Sequence, residues 1–289
     1  MKLTRKNTIV AGASMLAAAT LVSAGVAGQG GNSAAAAGVR VAPSTPVAPS
    51  GAEGTSHNIV AISPQGADTE LYTVSSAGGT VTSYGGVGVA FGSGMSRQPG
   101  TRSYYISTGN NDGGNIYIAR LGSSALVGAS GYPNVSGLAW NPAGSALYGT
   151  ATGFVLSDQL VEIDPGTGAA TPVGTGMGIG GIDSIAFNPA DGVLYASTGF
   201  FYDGSPGDKL TINPATGVAS DSGADMSPAP ACTVSGMAFA SDGTGYVSVG
   251  CGGTGGAGGD IHSWNVTTNQ ISLVANPTGG PSVSDIEVN

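Results

Sequence analysis

The chain has 289 residues, of which 52 are glycine and only 9% are charged, with 17 acidic side chains against eight basic ones. Three of the basic residues, Lys2, Arg5 and Lys6, open the chain; beyond them five (Arg40, Arg97, Arg102, Arg120, Lys209) face all 17 acids, a net charge of −12. A surface of that sign repels phosphate backbones and excludes nucleic acid as a partner, while the glycine content favours short strands and tight turns.

Behind Lys2, Arg5 and Lys6 runs a small, apolar stretch from Thr8 to Val22, then small residues around Ala24 and Ala27. Basic, apolar and small residues in that order predict a secretory signal over 1–27. The run is short and broken by Thr, Ser and Gly, so no membrane span is expected after cleavage. With no Cys near the cleavage region, a lipoprotein anchor is not expected either. Residues 28–57 are Ala, Gly, Ser and Pro with almost no large apolar side chain, and read as a disordered linker. The folded part is then 58–289, long enough for one substantial core.

The first ordered segment, Glu70-Leu-Tyr-Thr-Val-Ser75-Ser-Ala-Gly-Gly79, reads as a strand and a turn. Residues near 86–134 form a less regular unit. After it comes Val135-Ser-Gly-Leu-Ala-Trp140-Asn-Pro, which returns as Ile182-Asp-Ser-Ile-Ala-Phe187-Asn-Pro, as Val234-Ser-Gly-Met-Ala-Phe239 and as Val283-Ser-Asp-Ile-Glu-Val288, at steps of 47, 52 and 49 residues. The clearest unit reads as four strands. Ile182 to Phe187 is the first, and Asn188-Pro-Ala-Asp-Gly192 supplies a turn. Val193 to Ser197 is the second, Lys209 to Ile212 the third, and a short fourth follows Asn213-Pro-Ala-Thr-Gly217.

A period near fifty with four strands per unit predicts an all-β fold, a β-propeller of four-stranded blades. Glu70 to Gly79 matches Gln159 to Gly168 at an offset of 89, in the third-strand position, so the N-terminal blade lacks its first strand. The spare first strand, Val283 to Val288, stands at the other end, and joining the two closes the ring without open sheet edges. The count is five blades, with units near 86–134, 135–181, 182–233 and 234–282 beside the composite one. The irregular second unit leaves four or six open.

The A-F-x-P-x-G-x-L-Y line that recurs once per blade resembles that of secreted bacterial propellers with YVTN/NHL-type or quinoprotein-like repeats, over about 58–289. The resemblance implies the fold. Lactonases of the gluconolactonase type and streptogramin lyases share the architecture, but their acidic metal cage and catalytic histidines find no counterparts here. No catalytic residue is carried across.

Cys232 and Cys251 bracket the hairpin of the last full unit and are expected to form a disulfide in an exported protein, worth about 3 kcal/mol for a loop of roughly twenty residues. A base for nucleophilic catalysis would have to be His57, at the linker edge, or His262, in a predicted third strand; a Ser-His-Asp set would rest on His262 alone. Gly176 to Gly181 spells G-x-G-x-x-G, yet a strand follows it instead of the helix that pyrophosphate binding needs. Gly252 to Gly259 reads as a flexible loop.

Loops between second and third strands share one propeller face with the links between blades. They are long and mutually different here, whereas the turns between first and second strands are short and stereotyped. Variable loops on a rigid scaffold carry function. Phe154, Phe200, Phe201, Tyr202 and Asp203 are the candidate ligand-binding residues: a stacking platform for a sugar ring or an anchor for a protein, against the bland reading of a plug over the channel. Asn110, Asn111, Asp112 and Asn115 form an oxygen-rich cluster, as do Asp203 and Asp208. Oxygen donors of this kind suit Ca²⁺, although the spacing matches no EF-hand and an ordinary turn explains them too. Asp183 shares its repeat position with Ser136, Ser235 and Ser284, which makes that expected channel position mostly hydroxyl.

Three functions follow. The first is an exported, non-catalytic binding propeller, monomeric, in the envelope or outside the cell, offering its loops to a glycan or protein without a cofactor. The second is a metal-dependent lactonase- or lyase-like enzyme, and the third a purely structural envelope protein.

Overall fold

The computed structural model describes residues 56–65, 68–109, 112–120, 122–151, 157–199, 207–227, 233–250, 259–276 and 283–289. Every regular element among them is a strand. In chain order these are β1 (Asn58–Gln65), β2 (Asp68–Ser75) and β3 (Val81–Gly86), then β4 (Gly92–Arg97), β5 (Tyr104–Thr108), β6 (Asn115–Arg120) and β7 (Ser123–Ala129). The next repeat holds β8 (Val135–Trp140), β9 (Leu147–Ala151), β10 (Gln159–Ile163) and β11 (Ala170–Pro172). It is followed by β12 (Ile182–Phe187), β13 (Leu194–Thr198), β14 (Asp208–Ile212) and β15 (Ala219–Asp225). The last are β16 (Thr233–Phe239), β17 (Gly245–Gly250), β18 (Asp260–Asn265), β19 (Gln270–Ala275) and β20 (Asp285–Val288).

They pair into five antiparallel sheets of four strands, the blades of a five-bladed propeller. Blade 1 is β20-β1-β2-β3, so the C-terminal strand completes the N-terminal blade, with Ile286 opposite Ala61. Blades 2 to 5 are β4–β7, β8–β11, β12–β15 and β16–β19. The expectation of five blades and of a ring closed in this way is met. The first strands form an inner ring, each packed on the next, with β20 between β16 and β4. Burial follows radius. All six residues of β8 are buried, whereas β7, the outer strand of the neighbouring blade, has none that is.

Apolar alternation along the strands leaves the core in the seams between blades, one cluster to a seam. Val60, Leu71, Met95 and Ile106 fill the seam of blades 1 and 2, and Tyr105, Ile116, Val135 and Leu147 that of 2 and 3. Ala139, Leu160, Ile182 and Leu194 join blades 3 and 4, and Ala186, Val234, Phe239 and Trp264 join 4 and 5. Ile59, Val74, Tyr246 and Ile286 close the circle between 5 and 1. Shortening one fully buried member, such as Leu71 or Leu160, to Ala costs roughly 2–5 kcal/mol.

The Asp-Pro-Gly-Thr-Gly and Asn-Pro-Ala-Thr-Gly turns owe their form to side-chain caps. Asp164 Oδ1 accepts the Gly166 N–H at 2.8 Å and Asn213 Oδ1 that of Ala215 at 2.9 Å. Each turn then ends on a left-handed glycine, Gly168 at φ +78° and Gly217 at φ +73°, whose N–H returns to the residue that opened the turn. Gly217 also presses on the Val173 carbonyl of the preceding blade, so both conformation and space demand glycine.

Four first strands bulge near their second repeat position, at Ser93, Ser136, Asp183 and Ser235. The structure corrects the placing of this position in the channel. The Ser136 hydroxyl donates to the Ile182 carbonyl of blade 4 at 3.1 Å, Ser235 to Val283 of blade 1 at 2.5 Å, and Ser284 to Gly92 of blade 2 at 2.9 Å. These serines bind one blade to the next, because the face of a radial sheet looks at its neighbour.

The closing seam is held by carboxylates. Asp285 accepts the Met95 N–H at 2.6 Å, and Glu287 accepts the Arg97 N–H at 3.0 Å and the Ser96 hydroxyl at 3.2 Å. Burial pushes Asp285 well above the usual carboxylate range and Glu287 up to about 7, although the backbone donors oppose it.

Candidate functional site

The strand order puts the second-to-third loops and the inter-blade links on one face. Their described parts are tied down by aspartates. Asp68 opens β2 and accepts the Gly88 N–H of the link to blade 2 at 2.7 Å. Asp158, at the end of the loop before β10, accepts the Ile182 N–H at the start of β12 at 2.6 Å. Asp208 opens β14, is 2% exposed and takes the Thr198 hydroxyl at 2.5 Å. Each grips a point where the chain leaves one strand for another.

Asp183 differs. Its carboxyl lies against Gly199 and receives no hydrogen bond from a described residue. Burial, and after it the charge of Asp158, push it up to about 6. The pair stands at the start of β12, where Asp158 holds the Ile182 N–H. Neither acid was a site candidate in the sequence. Asp183 did stand out as the single carboxylate in a serine column, and Asp158 gave no signal, since only the fold brings blade 3's loop to blade 4's first strand.

Of the expected site residues, Phe154, Phe200, Phe201, Tyr202, Asp203, Asn110 and Asn111 lie outside the described residues, as do Cys232 and Cys251. Asp112 is described: its carboxylate accepts from Tyr117 OH at 3.2 Å and Asn115 Nδ2 at 3.3 Å, while Asn115 also donates to the Asp112 carbonyl at 2.7 Å. That closes a turn. Asp112 and Asp208 belong to blades 2 and 4, which do not adjoin. Among the described residues no three His, Cys, Asp or Glu side chains gather to hold a metal.

His57, expected at the linker edge, is instead anchored. Its Nδ1 meets Tyr246 OH at 2.9 Å and its Nε2 lies 3.4 Å from Asp242, so it pins the start of the domain to blade 5. His262 sits on β18 between Val247 and Leu273, its pKa lowered by burial, with Asp260 pulling the other way. A cleft of about 570 Å³ lies elsewhere, by the turns of blade 3, lined by Ser145, Glu162, Asp164 and Thr171.

No family model and no curated protein matches the chain. Solved structures do. A structural-genomics protein of unknown function from Bacteroides thetaiotaomicron is similar with a TM-score of 0.50 at 14% identity, over 79% of this chain and 61% of that one. A chain of the nidogen/laminin complex is similar with a TM-score of 0.56 at 10% identity, over 81% and 98%. TolB from Acinetobacter baumannii follows at 0.48 and 16%, over 80% and 54%. At these identities the likeness is one of fold: the chain is a β-propeller, and it spans about three fifths of the Bacteroides structure.

Proposed function

We propose that this protein is an exported binding propeller that offers its loop face to a glycan or protein partner. The carrying observation is the contrast between the two faces of a closed, rigid ring. On one, short capped turns repeat with little change. On the other, the segments between second and third strands are long and dissimilar in sequence, and Asp158 and Asp208 hold their described ends in place, the arrangement in which a scaffold is constant and recognition varies. The leader over 1–27 and the linker over 28–57 support export. The repeated serines support no nucleophile, because Ser136, Ser235 and Ser284 donate their protons to carbonyls across the seams.

The test is a screen of glycans and cell-wall polymers with the exported chain, beside a variant carrying Phe200→Ala, Phe201→Ala and Tyr202→Ala. A hit that the variant loses at unchanged Tm supports the reading. A hit that it keeps, or a variant that unfolds, refutes this placement of the site. The enzymatic alternative draws on the Asp158–Asp183 pair, because a carboxyl raised by burial and by a neighbouring carboxylate suits a divalent cation or proton transfer. It requires Ca²⁺ to raise Tm and Asp183→Asn to abolish that rise.

A further inference from the structure

Phe91 stands on the loop face, in the link that leads from blade 1 to β4. Its φ is +53°, a left-handed conformation that a bulky side chain rarely takes. The equivalent seat in blade 4 is held by Gly181 at φ +75°. The equivalence is geometric: the Gly109 N–H donates to the Phe91 carbonyl at 3.2 Å and the Gly199 N–H to the Gly181 carbonyl at 2.8 Å, eighteen residues on in both cases. Glycine takes this conformation freely, and phenylalanine at a cost of about 1 kcal/mol or more.

Phe91 is 37% exposed, belongs to none of the five seam clusters, and stacks on no described aromatic side chain. A strained backbone that leaves more than a third of an apolar residue in solvent, outside every seam, is accounted for by a contact outside the chain.

Charge says what kind. Among the described residues, no lysine or arginine stands in a second-to-third loop or an inter-blade link, whereas Asp112 stands in such a loop and Asp68 and Asp260 open third strands on the same side, all three partly exposed; Asp158 and Asp208, also on that side, are buried. Arg97, Arg102 and Arg120 lie at the opposite face, at or beside the short turns. An exposed aromatic ring set in an acidic field is complementary to a cation.

We propose that Phe91 is a partner-contact residue that receives a lysine or arginine side chain from a basic segment of a protein docking on the loop face. This rests on the loop-face reading above and names its partner chemistry. The experiment measures binding of fluorescent octalysine and octaglutamate to the whole exported chain at about 0.15 M salt, where only short-range charge contacts persist. Wild type is expected to prefer octalysine. Phe91→Gly should weaken that binding about three- to tenfold while its Tm stays level or rises, and Phe91→Trp should retain it. Leu126→Ala, on the exposed outer strand of the same blade, should change neither.

Equal octalysine binding by Phe91→Gly overturns the role of Phe91, as does a fall of several degrees in its Tm, which would make the ring a packing residue. No preference for octalysine in wild type overturns the basic partner and leaves the loop-face reading to the glycan screen. Octalysine binding that survives both Phe91→Gly and the aromatic-loop variant overturns both readings together.

Discussion

Glu287 makes the closing seam testable in an unusual direction. Most carboxylates in proteins have lowered pKa values and stabilise the fold as pH rises. Glu287 is raised from 4.5 to about 7. The native state therefore holds its proton more tightly than the unfolded chain does. The stability it contributes is complete below about pH 4.5, is lost as pH climbs to about 7, and does not change further above that. A shift of this size corresponds to about 3 kcal/mol, an upper bound because the residue keeps part of its surface in water. Arg97 opposes the shift and Asp285, on the same strand, acts in the same direction.

Glu287→Gln removes the titration and keeps an oxygen to accept from the Arg97 N–H and the Ser96 hydroxyl. Urea unfolding at pH 5 and pH 8 measures both proteins. Wild type should be less stable at pH 8 than at pH 5. The variant should show a smaller drop, by up to about 3 kcal/mol, and should exceed wild type at pH 8. Equal pH dependence in the two, or a wild type that gains stability with pH, would refute the account of the seam.

Three further expectations can be checked by similar means. Asp183→Ser should raise stability at pH 8 and flatten the profile between about pH 4 and 6, since the largely buried charge takes no hydrogen bond from a described residue and serine fills that position in the four other blades; a loss at pH 8 would give Asp183 a partner. Gly236→Ala should cost about 1–3 kcal/mol in chemical denaturation, because its Cβ would stand 2.5 Å from the Asp285 Cα and 2.6 Å from the Ser248 Oγ. Thiol titration of the denatured, unreduced protein should find no free cysteine, because the β16–β17 register ends with Thr233 opposite Gly250, one residue short of Cys232 and Cys251; two reactive thiols would end that reading.

The strand plan was legible because a blade is a local object. The strands Ile182 to Phe187 and Val193 to Ser197 and the turns at Asn188 and Asn213 follow from alternation and turn chemistry within fifty residues. Even the closing strand could be read, since a spare Val283 to Val288 and a blade lacking its first strand require each other. The site was less so. Asp112 looked like a ligand by composition, yet Tyr117 and Asn115 occupy its oxygens, and that depends on how one short turn folds. His57 looked like linker until blade 5 supplied Tyr246 and Asp242, nearly two hundred residues away.

By itself the sequence determined the propeller and the strand that closes it, because hydrophobic period and turn residues repeat with the blade; it counted five blades, and the structure decided between that and four or six. Only the tertiary structure decided what the repeated positions do. Neighbouring blades meet face to face, so Ser136, Ser235 and Ser284 became ties across seams, Asp285 a buried acid and Glu287 a half-buried one. The same packing left Phe91 strained and exposed where blade 4 has a glycine. Those roles arise from contacts between residues about fifty to two hundred positions apart, and no local pattern encodes a contact at that range.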